Sequence, residues 1–174
     1  RGEKRALQSL VIELSEQERT GRVPQSQLQS FQSFTGKPVA SLTGEQVKAL
    51  LIESGLWTAL RARPFSRVAN PAIRPHSMFI TAMDTHPLAP LVEVILKGSE
   101  NHFETGVLAV SKLTEGKTFL CKSPGAKIPC PQNGNILVEE FSGPHPAGTV
   151  GLHIHLLDPV HREKTAWHLG YQDV

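Results

Sequence analysis

The chain has 174 residues, 39% of them hydrophobic and 20% charged, and its 18 basic and 16 acidic side chains leave a net charge of +2. That length supports one good core, or one domain with parts of its neighbours, and the even charge argues against a nucleic-acid footprint, which would cluster Lys and Arg on one element. No apolar run reaches the roughly 18 residues that span a bilayer, so a membrane role is expected to run through partners.

In chain order, residues 6–14 carry a β-like run around Leu7, Val11 and Ile12. Residues 22–42, rich in Gln, Ser and Thr with Pro24 and Pro38, read as a connector of little regular structure. Thr43 and Gln46 stand at capping-box spacing, and Gly55 sits where a left-handed residue closes a helix, which predicts a helix over 44–54. Residues 61–76 read as a basic, Pro-rich loop. The run S-M-F-I-T-A-M at 77–83 predicts a buried strand ending in Asp84, Thr85 and His86. Residues 91–96 fit either a strand or the start of a helix. Ser99 can cap a helix with Phe103, Val107 and Val110 on its apolar face, closed by Gly116. Residues 117–122, 136–141 and 166–170 predict three more strands, and Pro146 predicts a helix start at its first position, running to about Leu157. Tyr171 then enters another helix. Strands alternating with helices predict an α/β fold, a Rossmann-like parallel sheet with flanking helices. Three segments result: 1–15 as the strand left from a β-rich domain, 16–76 as the irregular connector with one helix, and 77–174 as the Rossmann-like domain. With Arg1 and not Met first, Val174 last and no leader, the chain reads as an internal segment of a longer protein.

Parallel sheets bind ligands at the carboxyl ends of their strands. Asp84, Thr85 and His86 are therefore a candidate binding group; alternatively Asp84 caps the following turn. The segment 55–66 (G-L-W-T-A-L-R-A-R-P-F-S) offers Gly55, Trp57, Arg61 and Arg63. Its arginines could hold a phosphate or carboxylate and its aromatics could stack a ring. The other reading is a loop docked by Trp57, with arginines paired to a neighbouring domain or subunit. His145, His153, His155 and His161 invite a metal reading if 152–156 is a strand; on a helix, His153 and His155 diverge by about 200°, and the helix is favoured. Cys121 and Cys130, with eight residues between them, match no zinc or redox spacing.

Whole phrases then carry a resemblance: SGLWTALRARPFSRV (54–68), FITAMDTHPLAP (79–90), LTEGKTFLCKS (113–123), FSGPHPAGTVGLHIHLLDPV (141–160) and AWHLGYQDV (166–174). With RGEKRALQSLVIE (1–13), they resemble the NqrA subunits of the bacterial sodium-translocating NADH:quinone reductases. The resemblance implies a respiratory complex that oxidises NADH, reduces ubiquinone and exports Na+. Within it the chain is expected to be peripheral, on the cytoplasmic face of the inner membrane, docked chiefly on the membrane subunit NqrB and linked to ubiquinone. The central domain of that family is similar to the NADH- and flavin-binding subunit of respiratory complex I, whose flavin loop runs roughly G-L-R-G-R-G-G-A-G-F-P-T before a strand ending N-A-D-E-x-E-P. Here only Gly55, Leu56 and Pro64 or Phe65 keep the loop, and Ala82, Asp84 and Pro87 keep the strand end. Side chains at the lost glycines would block backbone approach to a phosphate. The expectation is no bound flavin, with NADH, flavins and an iron–sulfur centre left to other subunits. A quinone-linked scaffold therefore stands against two alternatives: a self-sufficient nucleotide-binding oxidoreductase, and an interaction module with no small ligand.

Overall fold

The structure is a computed structural model and describes residues 9–174. The chain divides into two compact units, Arg1–Ser30 and Phe31–Val174.

In the first unit, Ser15 and Glu18 form a reciprocal capping box that starts the single-turn helix α1 (Glu16–Arg19). The strand expected over 6–14 lies partly outside the described residues, and residues 9–14 form no strand. Leu10, Val11 and Ile12 are exposed there, with no neighbouring strand among the described residues to bury them.

The second unit opens on a polar segment tied down by one side chain. The Glu53 carboxylate accepts the backbone N–H groups of Gln32 and Ser33 at 2.7 and 2.8 Å. Helix α2 (Gly44–Glu53) begins at the expected capping box: the Gln46 N–H donates to Thr43 Oγ1, and the Thr43 N–H donates to Gln46 Oε1. Gly55 follows at φ 80°, the left-handed conformation that closes a helix.

A mixed six-stranded sheet comes next: β1 (Arg61–Arg63), β2 (Arg67–Val68), β3 (Ser77–Ala82), β4 (Thr118–Lys122), β5 (Ile136–Glu140) and β6 (Ala166–Gly170), in the order β2-β1-β6-β3-β4-β5. β6, β3, β4 and β5 run parallel. β1 is antiparallel to both β2 and β6. Two expectations are corrected here. The sheet is not wholly parallel, and 61–76 is not simply a loop, because its first half pairs as a ribbon and extends the sheet. The ribbon's ends are fixed by the core: the Ala69 N–H donates to Leu60 O at 3.0 Å, and both residues are buried.

Residues 91–96 contain the short helix α3 (Val92–Ile95), and α4 (Glu100–Ser111) makes the crossover to β4. Ser99 stands at the α4 N-cap, but its side chain makes no capping bond. Gly116 lies beyond the helix, where a Cβ would collide with His76 O, so close approach and not helix closure demands glycine. No helix joins β4 to β5. Helix α5 spans Val150–Leu157 and starts later than Pro146 predicts, because 144–149 folds into consecutive turns in which Pro144 O accepts the Ala147 N–H and Pro146 O accepts the Thr149 N–H. Tyr171–Asp173 closes as a 3-10 turn.

Alternation in the strands divides the core between the two sheet faces. Met78, Ile80, Leu120, Trp167 and Leu169 pack with Val47 of α2 and Phe103, Val107 and Val110 of α4. Phe79, Phe119, Cys121 and Ala166 pack with Ile154 of α5 on the other face, where the two phenyl rings stack at 4.8 Å.

Candidate functional site

The order of the parallel strands reverses beside β3. The chain moves from β3 outward to β4 and β5, then returns through α5 to lay β6 on the other side of β3. At such a switch point the connections leave in opposite directions and open a crevice above the strand ends. A groove of about 300 Å³ lies there, lined by residues that include Met83, Asp84, His86, Val150, His168 and Tyr171. The 55–66 segment does not fill it.

One wall is built from the end of β3. Asp84 turns its carboxylate back on its own chain and accepts the His86 N–H at 2.8 Å and His86 Nδ1 at 2.5 Å. The backbone bond from His86 is the main influence holding its carboxyl below the usual range, against the opposing effect of burial. Thr85 points to the facing wall: its hydroxyl accepts the Gly148 N–H at 2.9 Å and stands 3.3 Å from His145 Nδ1. The His86 and His145 rings lie 4.6 Å apart across the mouth. Behind this wall, His153 is fully buried, with Nε2 donating to Ala147 O at 2.8 Å and its ring 4.2 Å from Phe141. Burial lowers its basicity, so the ring is neutral and serves as a strut for the 144–149 turns.

The floor comes from β3 and β6. Thr81 Oγ1 and His168 Nε2 are both buried without a hydrogen-bond partner. His168 is driven down to about 4, first by burial and then by Arg63 and Arg61. Those arginines stand opposite Ala166 and His168 in the β1–β6 pairing, on the same sheet face as the groove floor.

The sequence-predicted residues therefore separate. Asp84, Thr85 and His86 come together at the groove. Arg61 and Arg63 lie one strand away, beside His168. Gly55 closes α2, and Trp57 is buried among the core residues of the other sheet face, its Nε1 donating to Ala69 O at 2.7 Å and its ring edge-on to Trp167 at 5.4 Å. Sequence reading misses Gly148 and His168 as groove residues, and offers His145 only as a metal ligand. The hint is the G-P-H-P-A-G-T-V-G run, whose closely spaced prolines and glycines announce a tightly turned wall. His153 is buried and His155 exposed on the helical α5, so the two do not share a ligand. Among the described residues no group of three or more His, Cys, Asp or Glu could hold a metal ion.

Residues 42–174 match the family model described as "NqrA second alpha/beta domain". The chain is 48% identical over all 174 residues to the NqrA subunit of the Na(+)-translocating NADH-quinone reductase of Marinomonas sp. (strain MWYL1). It is 47% identical to that of Pasteurella multocida (strain Pm70) and 45% identical to that of Neisseria meningitidis serogroup B. The whole chain is covered in each comparison, and it spans 37% of each relative's length. The chain belongs to the NqrA family of Na(+)-translocating NADH-quinone reductase subunits, and its residues from 42 onward form the second α/β domain of that subunit.

Proposed function

We propose that this chain acts as part of a peripheral subunit of a respiratory complex that oxidises NADH, reduces ubiquinone and exports Na+, and that its own role is scaffolding and quinone-linked, not catalytic. In this reading the 16–76 segment and the sheet domain dock the subunit on the cytoplasmic side, chiefly against the membrane subunit NqrB. NADH, flavins and the iron–sulfur centre are carried by other subunits.

The observation that supports this most is the groove over Asp84. It is mixed in character, with Met83, Val150, Leu169 and Tyr171 beside Asp84, His86 and His168. That suits an apolar ring with polar carbonyl edges better than it suits a phosphate. A flavin phosphate does not fit the 55–66 segment. Where the flavin-binding relatives have glycines, this chain has Thr58, Leu60, Arg61 and Arg63; Leu60 is buried in the core and Arg61–Arg63 are a sheet strand, so no backbone N–H cradle forms. Docking is supported by the aliphatic run after the groove. Leu88, Leu91, Val94 and Ile95 are all more than half exposed on and around α3, an unusual amount of apolar surface for eight residues. No helix among the described residues is long and apolar enough to cross a membrane.

The test is titration of the purified subunit with a short-chain, water-soluble ubiquinone analogue, with a visible absorption spectrum taken beforehand. The expected results are no flavin absorbance band, saturable quinone binding, and loss of that binding in Asp84→Asn and His86→Ala. A co-purifying flavin would overturn the non-catalytic reading. No quinone binding at all would leave an interaction module without a small ligand.

A further inference from the structure

Between Ser54 and Met83 the chain has four arginines and no acidic residue. Arg74 is satisfied, its guanidinium bridging the carboxylates of Glu45 and Glu115. Arg61, Arg63 and Arg67 are not: among the described residues none of them makes a salt bridge or a side-chain hydrogen bond, and the Arg63 Nε is buried without a partner. All three stand on the β1–β2 ribbon, at the edge of the sheet.

We infer that this ribbon is an electrostatic docking element for a carboxylate-rich protein surface, and that the partner's acids complete Arg61, Arg63 and Arg67. The inference rests on the reading of the chain as part of a subunit in a larger assembly. Its geometry comes from the pairing register. Arg61 and Arg63 lie opposite His168 and Ala166 and share their sheet face. Arg67 lies opposite Ala62 and so points to the other face. The cations therefore flank the ribbon on both sides. At the turn between the strands Phe65 is 73% exposed, with the Arg67 guanidinium 6.0 Å from its ring centroid. Exposed aromatic and Arg side chains in one small, rigid patch are the composition that concentrates binding energy at protein interfaces. The ribbon is rigid because both its ends are anchored, through Ala69 to Leu60 and through Trp57 to Ala69, so little ordering entropy is lost on docking.

The arrangement selects a protein partner over the alternatives. A small anion would need a cavity, and none of the three arginines lines the groove over Asp84. A flat bilayer can meet one side of the ribbon but not both. A protein surface with acidic groups around a shallow cleft can receive the Phe65 tip and reach both faces. Guanidinium forks favour carboxylates in that setting through paired N–H···O bonds.

The experiment uses the intact subunit co-expressed with the rest of its reductase, with affinity capture on the subunit and the other subunits quantified against salt. Arg61→Glu/Arg67→Glu is compared with wild type and with Lys117→Glu, an exposed cation just before β4, away from both the ribbon and α3. Expected are capture by wild type that weakens as salt rises, loss of about tenfold or more in the double reversal, and no loss in Lys117→Glu. Failure of wild type to capture any reductase subunit would sink the assembly reading itself. Capture by wild type that the double reversal leaves unchanged would overturn this inference alone. A melting temperature lowered by the double reversal in the isolated subunit would also overturn it, since the arginines would then be buried against the subunit's own chain. Arginine-dependent binding to phosphatidylglycerol vesicles, with capture of the other subunits unaffected, would overturn it in favour of a lipid surface.

Discussion

The Gly148 N–H donates to the Thr85 hydroxyl at 2.9 Å, and a Cβ placed on Gly148 would lie 2.7 Å from Thr85 N. The two walls of the groove are thus joined at one point where backbone meets backbone, and neither side can retreat easily, because Thr85 closely follows the buried end of β3. Gly148→Ala is expected to destabilise the domain by about 1–3 kcal/mol, the usual cost of forcing a methyl into a packed site, and to weaken quinone-analogue binding by spreading the groove. Urea denaturation and ligand titration measure the two effects. Unchanged stability would mean that the 144–149 turns move freely.

Trp57 gives a prediction of the opposite sort, because the sequence offers it as a ligand contact and the structure buries it. Its indole N–H is the donor to Ala69 O, at the base of the β1–β2 ribbon. Trp57→Phe keeps a ring beside Trp167 but leaves that carbonyl unpaired in a buried setting, which costs about 1–3 kcal/mol. Denaturation should report that loss, while quinone-analogue affinity stays at the wild-type value because Trp57 is absent from the groove lining. An affinity loss with stability unchanged would return Trp57 to the binding site.

The two helix starts make an internal comparison. Thr43 accepts the Gln46 N–H and completes a reciprocal box, whereas Ser99 occupies the N-cap of α4 with its side chain unused. Thr43→Ala is expected to cost about 1 kcal/mol, and Ser99→Ala close to nothing. Equal effects in chemical denaturation would contradict the assignment of the two caps.

These cases show what is legible in the sequence. The parallel strands and α2 follow from local signals: short apolar runs within strands of five or six residues, a capping box and a left-handed glycine, each acting within a few residues of itself. The antiparallel ribbon escapes such reading because its pairing partner, β6, lies about a hundred residues further along the chain, and nothing in R-A-R-P-F-S-R alternates clearly enough to announce a strand. The groove is half legible. Strand-end chemistry marks Asp84, Thr85 and His86, but His145 and Gly148 enter only because the 144–149 turns fold back on Thr85, and His168 enters only because β6 is laid against β3. Docking is one of the two roles the sequence offers Trp57, and its burial in the other face agrees with that one. Tertiary pairing, not local pattern, decides each of these.

His168 links the groove to the ribbon and gives a pH prediction. Burial, then Arg63, then Arg61 push its folded value down to about 4, against roughly 6.5 for an unfolded histidine. Above about pH 6.5 the ring is neutral in both states, so it adds no pH dependence. Between 6.5 and 4 the unfolded chain takes a proton that the folded chain refuses, so stability falls as pH falls through that window and levels off below it. His168→Gln should remove that part of the acid slope, measured as the midpoint of urea unfolding at a series of pH values. Direct titration of the His168 ring signals by NMR should find the group neutral at pH 6, and Arg63→Ala should move its titration upward by removing one of the three causes. A wild-type His168 that titrates near 6.5 would contradict the buried, cation-flanked floor. The same signal reads the docking element. Carboxylates brought onto Arg61 and Arg63 would offset the positive field beside the ring, so His168 should titrate higher in the assembled complex than in the free subunit.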